Sequence, residues 1–125
     1  MSFRVLVVED DFMNKVLVKE MLTLNGFIVI EAGDGKEAVR MAVSESPDVI
    51  LMDLHLPEMD GIRAMKTIKE DKGQRMPIIA LTASAMLGDE EKILNYGFDG
   101  YVPKPIELKR LVNSVKDAIK LASKK

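Results

Sequence analysis

Cysteine is absent from the chain, tryptophan is absent, and histidine occurs once, at position 55. Without cysteine there are no disulfides, no thiolate metal sites and no thiol nucleophile, a composition suited to a reducing compartment, so a cytoplasmic protein is expected. No strong charge of one sign is present either. A net charge of −2 gives no electrostatic footprint for nucleic acid or for an anionic membrane. No apolar run approaches membrane-spanning length, and Met1-Ser2-Phe3-Arg4 leads directly into a strand pattern instead of a signal peptide. Internal repeats, low-complexity tracts and linkers are missing as well. The lysines from Lys109 to Lys125 read as the solvated face of a terminal helix, not as a nucleic-acid arm.

What is present is an ordinary globular composition: 125 residues, 47% hydrophobic and 30% charged, with a mean hydropathy near zero. That length fits one domain, residues 1–125, burying roughly two thirds of its unfolded surface. Short apolar runs predict strands at Phe3–Val8, Phe27–Ile30, Asp48–Met52, Pro77–Leu81 and Gly100–Val102. Helices are predicted between and after them. The first runs from Asp11 to Asn25, with Met13, Val16, Leu17, Met21 and Leu24 at helical spacing and Asn25-Gly26 as its stop. The second is opened by Asp34 with Glu37 three residues on and ends near Glu45. The third spans Met59–Asp71, the fourth ends near Tyr96-Gly97, and the fifth runs from Pro105, a good first-turn residue, to Ala122. Strand and helix alternate five times, which implies an α/β fold: a doubly wound parallel sheet covered on both faces with right-handed crossovers.

In such a sheet the strand C-terminal ends share one edge. Glu9 and Asp10 come after the first strand, Asp53 after the third, Thr82 after the fourth and Lys104 after the fifth; Glu31, ending the second, lies away from the switch point. Three crowded carboxylates repel one another and call for a cation, and an all-oxygen donor set suits Mg²⁺. Lys104 and the Thr82 hydroxyl would then hold the oxygens of an anion. A hard metal, a lysine, a hydroxyl and a free carboxylate are the parts of a phosphoryl-transfer site, and an aspartate can itself accept the phosphoryl group.

Four segments together resemble the receiver domain of two-component response regulators: Val7-Val8-Glu9-Asp10-Asp11, Leu51-Met52-Asp53-Leu54 with Pro57 and Asp60-Gly61, Ala80-Leu81-Thr82-Ala83, and Tyr101-Val102-Pro103-Lys104-Pro105. The resemblance covers the whole chain, in order. It implies a flavodoxin-like (βα)5 fold with strand order 2-1-3-4-5. Asp53 would accept phosphate from a phosphohistidine of a histidine kinase or a histidine phosphotransfer protein. Asp10 and Asp53, with the backbone carbonyl of His55, would ligate Mg²⁺ or Mn²⁺ in its place, with Glu9 acting through water. Thr82 and Lys104 would bind phosphoryl oxygens, Ala83 would leave room beside them, and the Lys104-Pro105 bond would be cis. Tyr101 would turn inward once Thr82 moves, altering the face of the fourth helix, fifth strand and fifth helix that meets a downstream protein target.

Such a protein is a signalling switch, not an enzyme: it catalyses only its own phosphorylation and dephosphorylation. A monomer or weak dimer is expected, with no direct nucleic-acid contact and no membrane insertion. The donor would dock on the first helix near Asn14, Leu17 and Val18, and the target on Met86–Tyr96, Tyr101 and the last helix. His55 and Ser84, two residues past Asp53 and Thr82, are neither acidic nor amide, which predicts a long-lived acyl phosphate. Other readings are a receiver belonging to a hybrid kinase or larger regulator, and a phosphorylation-independent binding module. The run Gly33-Asp34-Gly35-Lys36-Glu37-Ala38 fits a dinucleotide fingerprint, but it follows the second strand and puts Asp34 where pyrophosphate would lie. Its glycines are better read as turn chemistry.

Overall fold

Five parallel strands lie in the order β2-β1-β3-β4-β5: β1 Arg4–Val8, β2 Ile28–Ala32, β3 Val49–Asp53, β4 Ile78–Thr82 and β5 Gly100–Pro103. They alternate with α1 Phe12–Leu24, α2 Gly35–Glu45, α3 Gly61–Glu70, α4 Asp89–Tyr96 and α5 Leu108–Ala122. This computed structural model describes residues 2–56, 59–71, 76–83 and 89–122. The expected doubly wound sandwich and its strand order are both found.

Strand parity explains why the central strands are apolar at every position. Val5, Val7, Val49, Leu51, Ile79 and Leu81 face one core, which Val18 and Leu22 of α1 and Leu111 and Val115 of α5 complete. Their neighbours Leu6, Val8, Ile50, Met52, Ile78 and Ala80 face the other, closed by Ala38, Ala42, Ala64, Met65 and Ile93 from α2, α3 and α4. A strand buried on both sides cannot alternate in polarity.

Caps fix where three helices begin. Asp11 accepts from the Met13 amide at 3.1 Å, Asp34 from the Glu37 amide at 2.8 Å and Asp60 from the Arg63 amide at 2.8 Å. The Asp34 cap disposes of the dinucleotide fingerprint, since its carboxylate occupies the very helix start that a pyrophosphate would need.

Several boundaries differ from expectation. Strands β1, β2, β3 and β4 each start one residue later than predicted, and β3 extends through Asp53, which pairs in register with Leu81. Strand β2 waits until Ile28 because the Phe27 amide donates to the Leu22 carbonyl and closes the preceding turn. Pro105 does not open the last helix. That helix starts at Leu108, so Pro105 stands in the connection before it.

Helix α1 turns a different face inward from the one its apolar spacing suggested. Val18 and Leu22 are fully buried, whereas Met13 and Leu24 are 70% and 83% exposed. Val18 therefore cannot belong to a docking surface; Asn14 is half-buried, and Leu17 is exposed.

Candidate functional site

The reversal of strand order between β1 and β3 opens a crevice at their C-terminal ends, where doubly wound sheets bind ligands. Glu9 and Asp10 follow β1 directly, and Asp53 is the last residue of β3. One carboxylate oxygen of each lies within 4.8 Å of the other two. Their exposures are unequal: Glu9 is fully buried, Asp53 nearly so, and Asp10 is open to solvent. Asp11, the next acidic residue, is drawn off to cap α1.

Lys104 reaches this cluster from just beyond β5. Its Nζ donates to Asp53 Oδ2 at 3.1 Å and lies 3.0 Å from Glu9 Oε2. The second contact has the distance of an ion pair without the direction of a hydrogen bond. Glu9 Oε2 is thus a buried oxygen with no hydrogen-bond donor among the described residues, while Oε1 accepts from the Asp11 amide at 3.2 Å. Burial first, and then the neighbouring Asp53 carboxylate, push the Glu9 carboxyl up to about 7 against the opposing pull of Lys104. For Lys104, burial works to lower the value, but Glu9 and Asp53 outweigh it and the ammonium is held above its ordinary range.

Thr82, fully buried, ends β4 opposite Pro103, and its carbonyl accepts from the Lys104 amide at 2.7 Å. That bond ties the lysine's main chain to the strand next to Asp53. Ala83, just beyond, is exposed, and the Lys104-Pro105 peptide bond is cis. The His55 amide donates to Asp53 Oδ1 at 3.0 Å. The His55 side chain is exposed and, with Asp60, Asp89, Lys92 and Tyr96, lines a cavity of about 360 Å³ between α3 and α4. Tyr101 stands apart from the acidic group, in the middle of β5 opposite Ala80. It is half-buried, and the Arg110 guanidinium lies 5.2 Å from the centre of its ring. Pro57, Ser84 and Met86 lie outside the described residues.

Sequence reasoning missed the part played by Gly61, which entered there only with Asp60 among the segments that carry the family resemblance. A Cβ at this position would lie 2.1 Å from the Asp53 carbonyl oxygen and 2.8 Å from Leu54 Cα. The Gly61 amide also donates to the Leu54 carbonyl at 3.1 Å. Helix α3 thus starts in direct backbone contact with the end of β3, which only a residue without a side chain allows.

The donor set suits a hard divalent cation. It is all oxygen and clustered, and one buried carboxylate oxygen lacks a hydrogen bond that a metal-bound water could supply. Chemically, the crevice offers a solvent-accessible carboxyl group, Asp10, a nearly buried one, Asp53, and a lysine already in contact with the second.

Comparison with known proteins agrees with this arrangement. The family model of the response regulator receiver domain matches residues 5–116. Over 117 residues the chain is 39% identical to the polar-differentiation response regulator DivK of Brucella ovis, covering 93% of this chain and 95% of that protein. Among solved structures it resembles the receiver domain of a sensor histidine kinase from Pseudomonas aeruginosa PAO1, with magnesium coordinated in its active-site cleft. The TM-score there is 0.86 at 38% identity, covering 96% of this chain and 99% of that one. A response regulator receiver domain from Francisella gives a TM-score of 0.87 at 30% identity, covering 94% and 97% of the two chains.

Proposed function

Because the chain belongs to the response regulator receiver domain family, we propose that it is a phosphorylation switch with Asp53 as the acceptor. The observation that carries this reading is the contact of Lys104 with Asp53 beside the Glu9–Asp10–Asp53 cluster. An Asp53 carboxylate oxygen attacks the phosphorus of a phosphohistidine on a histidine kinase or histidine phosphotransfer protein. The new P–O bond forms as the P–N bond breaks, and the electron pair leaves on the imidazole nitrogen. No general base takes part, because the nucleophile is already an anion.

Glu9, Asp10, Asp53 and the His55 backbone carbonyl would hold Mg²⁺, in whose place Mn²⁺ would also serve. When bound, the ion neutralises charge on the phosphoryl oxygens. Lys104, released from its carboxylate partners, pairs with one phosphoryl oxygen, and the Thr82 hydroxyl donates to another. The protein turns over no separate substrate; it catalyses only its own phosphorylation and dephosphorylation. His55, two residues past Asp53, and Ser84, two past Thr82, are neither acidic nor amide, so these two positions supply no group to orient an attacking water. The acyl phosphate therefore lasts much longer than seconds.

The output is a population shift in the face made by α4, β5 and α5, with Tyr101 turning inward as Thr82 engages the phosphoryl group. The same Asp53 chemistry would serve a stand-alone regulator and a receiver within a larger kinase.

Intact mass after incubation with acetyl phosphate tests the reading. A single phosphate adduct is expected on the wild type with Mg²⁺, absent without the metal and absent in Asp53→Ala. No adduct under any condition would turn the function toward a phosphorylation-independent binding module.

A further inference from the structure

Gly33 and Gly35 look alike in the sequence as turn residues, yet they differ sharply in what surrounds them. At Gly33 a Cβ would meet nothing within 4 Å. At Gly35, two residues on, it would meet the Met59 carbonyl oxygen at 2.3 Å and the Met59 Cβ at 2.9 Å. Gly35 is buried and is the first residue of α2, held there by the Asp34 cap. Met59 belongs to the connection between β3 and α3 that begins at Asp53. The start of α2 thus presses against the main chain of the loop carrying the phosphate acceptor, and leaves no space for even a methyl group.

Other contacts among the described residues also hold that loop. The Leu54 amide donates to the Leu81 carbonyl at 3.3 Å, the Gly61 amide donates to the Leu54 carbonyl, and Asp60 caps α3. All three lie on the β3, β4 and α3 side. Gly35 supplies the contact from the opposite, β2 side of the crevice. We propose that Gly35 is a positioning residue of the phosphoacceptor loop: α2 is the stop against which Met59 rests, and this sets where Leu54 and His55 stand relative to Asp53. The inference rests on the reading of this crevice as a Mg²⁺-dependent acceptor site.

The matched substitutions Gly35→Ala and Gly33→Ala test it. They add the same methyl group two residues apart, one against the Met59 carbonyl and one into open space. Mg²⁺ affinity by isothermal titration and the backbone amide NMR signals of Leu54 and His55 are the readouts. Gly35→Ala is expected to weaken Mg²⁺ binding roughly tenfold, as loss of a supporting contact around a metal site does, and to shift the Leu54 and His55 signals. Gly33→Ala should leave both at wild-type values.

Wild-type Mg²⁺ affinity and unshifted loop signals in folded Gly35→Ala would overturn the inference alone. A wild-type protein that bound no Mg²⁺ would remove the site reading and the inference together. Should Gly35→Ala fail to fold, the double variant Gly35→Ala/Met59→Gly lets the loop main chain move away from the methyl group. Recovery of the fold with Mg²⁺ binding still weakened roughly tenfold is then expected, and full recovery of affinity would overturn the proposal.

Discussion

Lys104 Nζ is hydrogen-bonded to Asp53 Oδ2 at 3.1 Å, although the two residues are 51 positions apart in the chain. The same ammonium lies 3.0 Å from Glu9 Oε2, so one cation serves two carboxylates that would otherwise repel each other in a nearly buried place. Lys104→Ala removes that cation. The variant should be destabilised by on the order of 3 kcal/mol at neutral pH, the scale expected for leaving buried charge uncompensated. Added Mg²⁺ should recover more stability in the variant than in the wild type, because no lysine then competes for the oxygens. Urea unfolding with and without Mg²⁺ measures both effects, and equal responses of the two proteins would contradict the electrostatic account.

Glu9 sets a pH dependence with a definite sign. Its carboxyl is pushed up to about 7 in the folded protein from an ordinary value of 4.5. As pH rises, the unfolded chain gives up this proton first, so ionisation favours unfolding throughout that window. Stability from this group is complete below about pH 4.5, falls toward pH 7 and is flat above it. The full span corresponds to roughly 3 kcal/mol as an upper limit. Wild type minus Glu9→Gln, followed by urea unfolding from acid to neutral pH without metal, should show this decline. Saturating Mg²⁺ should flatten it, and a stability difference that rises with pH would refute the assignment.

The doubly wound parallel sheet was legible from strand alternation, its order from the family resemblance, and the sheet-edge cluster from the residues at strand ends. Glu9, Asp10 and Asp53 needed only that topology to meet. The inward face of α1 was not legible. Met13, Val16, Leu17, Met21 and Leu24 form one apolar stripe and Val18 with Leu22 another; packing against β1 and α5 buries the second fully and, of the first, part-buries Met21. Asp53 was read as lying past its strand because polarity marks where an apolar run stops, whereas backbone pairing with Leu81 continues through it. Pro105 suits a first helical turn by its fixed φ, but no local signal shows that α5 waits for Leu108. Contacts such as Gly61 with the Asp53 carbonyl join backbone to backbone and leave no mark in residue type beyond the glycine itself.

Gly61→Ala should therefore cost far more than an alanine in a helix start normally does. Its Cβ would lie 2.1 Å from the Asp53 carbonyl oxygen, and rigid backbone on both sides offers little room to move. A loss of about 2–4 kcal/mol is expected, in the range that marks a specific steric mechanism. Phosphorylation by acetyl phosphate should slow as well, since α3 would push on the main chain of the acceptor. Chemical denaturation and intact mass over time measure the two effects. A change under roughly 0.5 kcal/mol, the size of an ordinary surface substitution, would show that the loop absorbs the methyl group.

Arg110 bears on the proposed movement of Tyr101. The guanidinium of this α5 residue lies 5.2 Å from the ring centre, close enough for attraction between the cation and the ring face. At an exposed position such a contact is worth about 0.5–1 kcal/mol, equivalent to a roughly two- to fivefold bias between two ring positions. If Tyr101 turns inward on phosphorylation, the contact favours the unphosphorylated arrangement because the inward ring leaves the guanidinium behind. Arg110→Ala should then raise the inward population of the unphosphorylated protein by about that factor, with Mg²⁺ binding unchanged because Arg110 is not one of the carboxylates of the acidic cluster. The Tyr101 ring signals in NMR spectra report the population directly. A variant whose ring signals match the wild type in both phosphorylation states would mean that Arg110 places no bias on the ring.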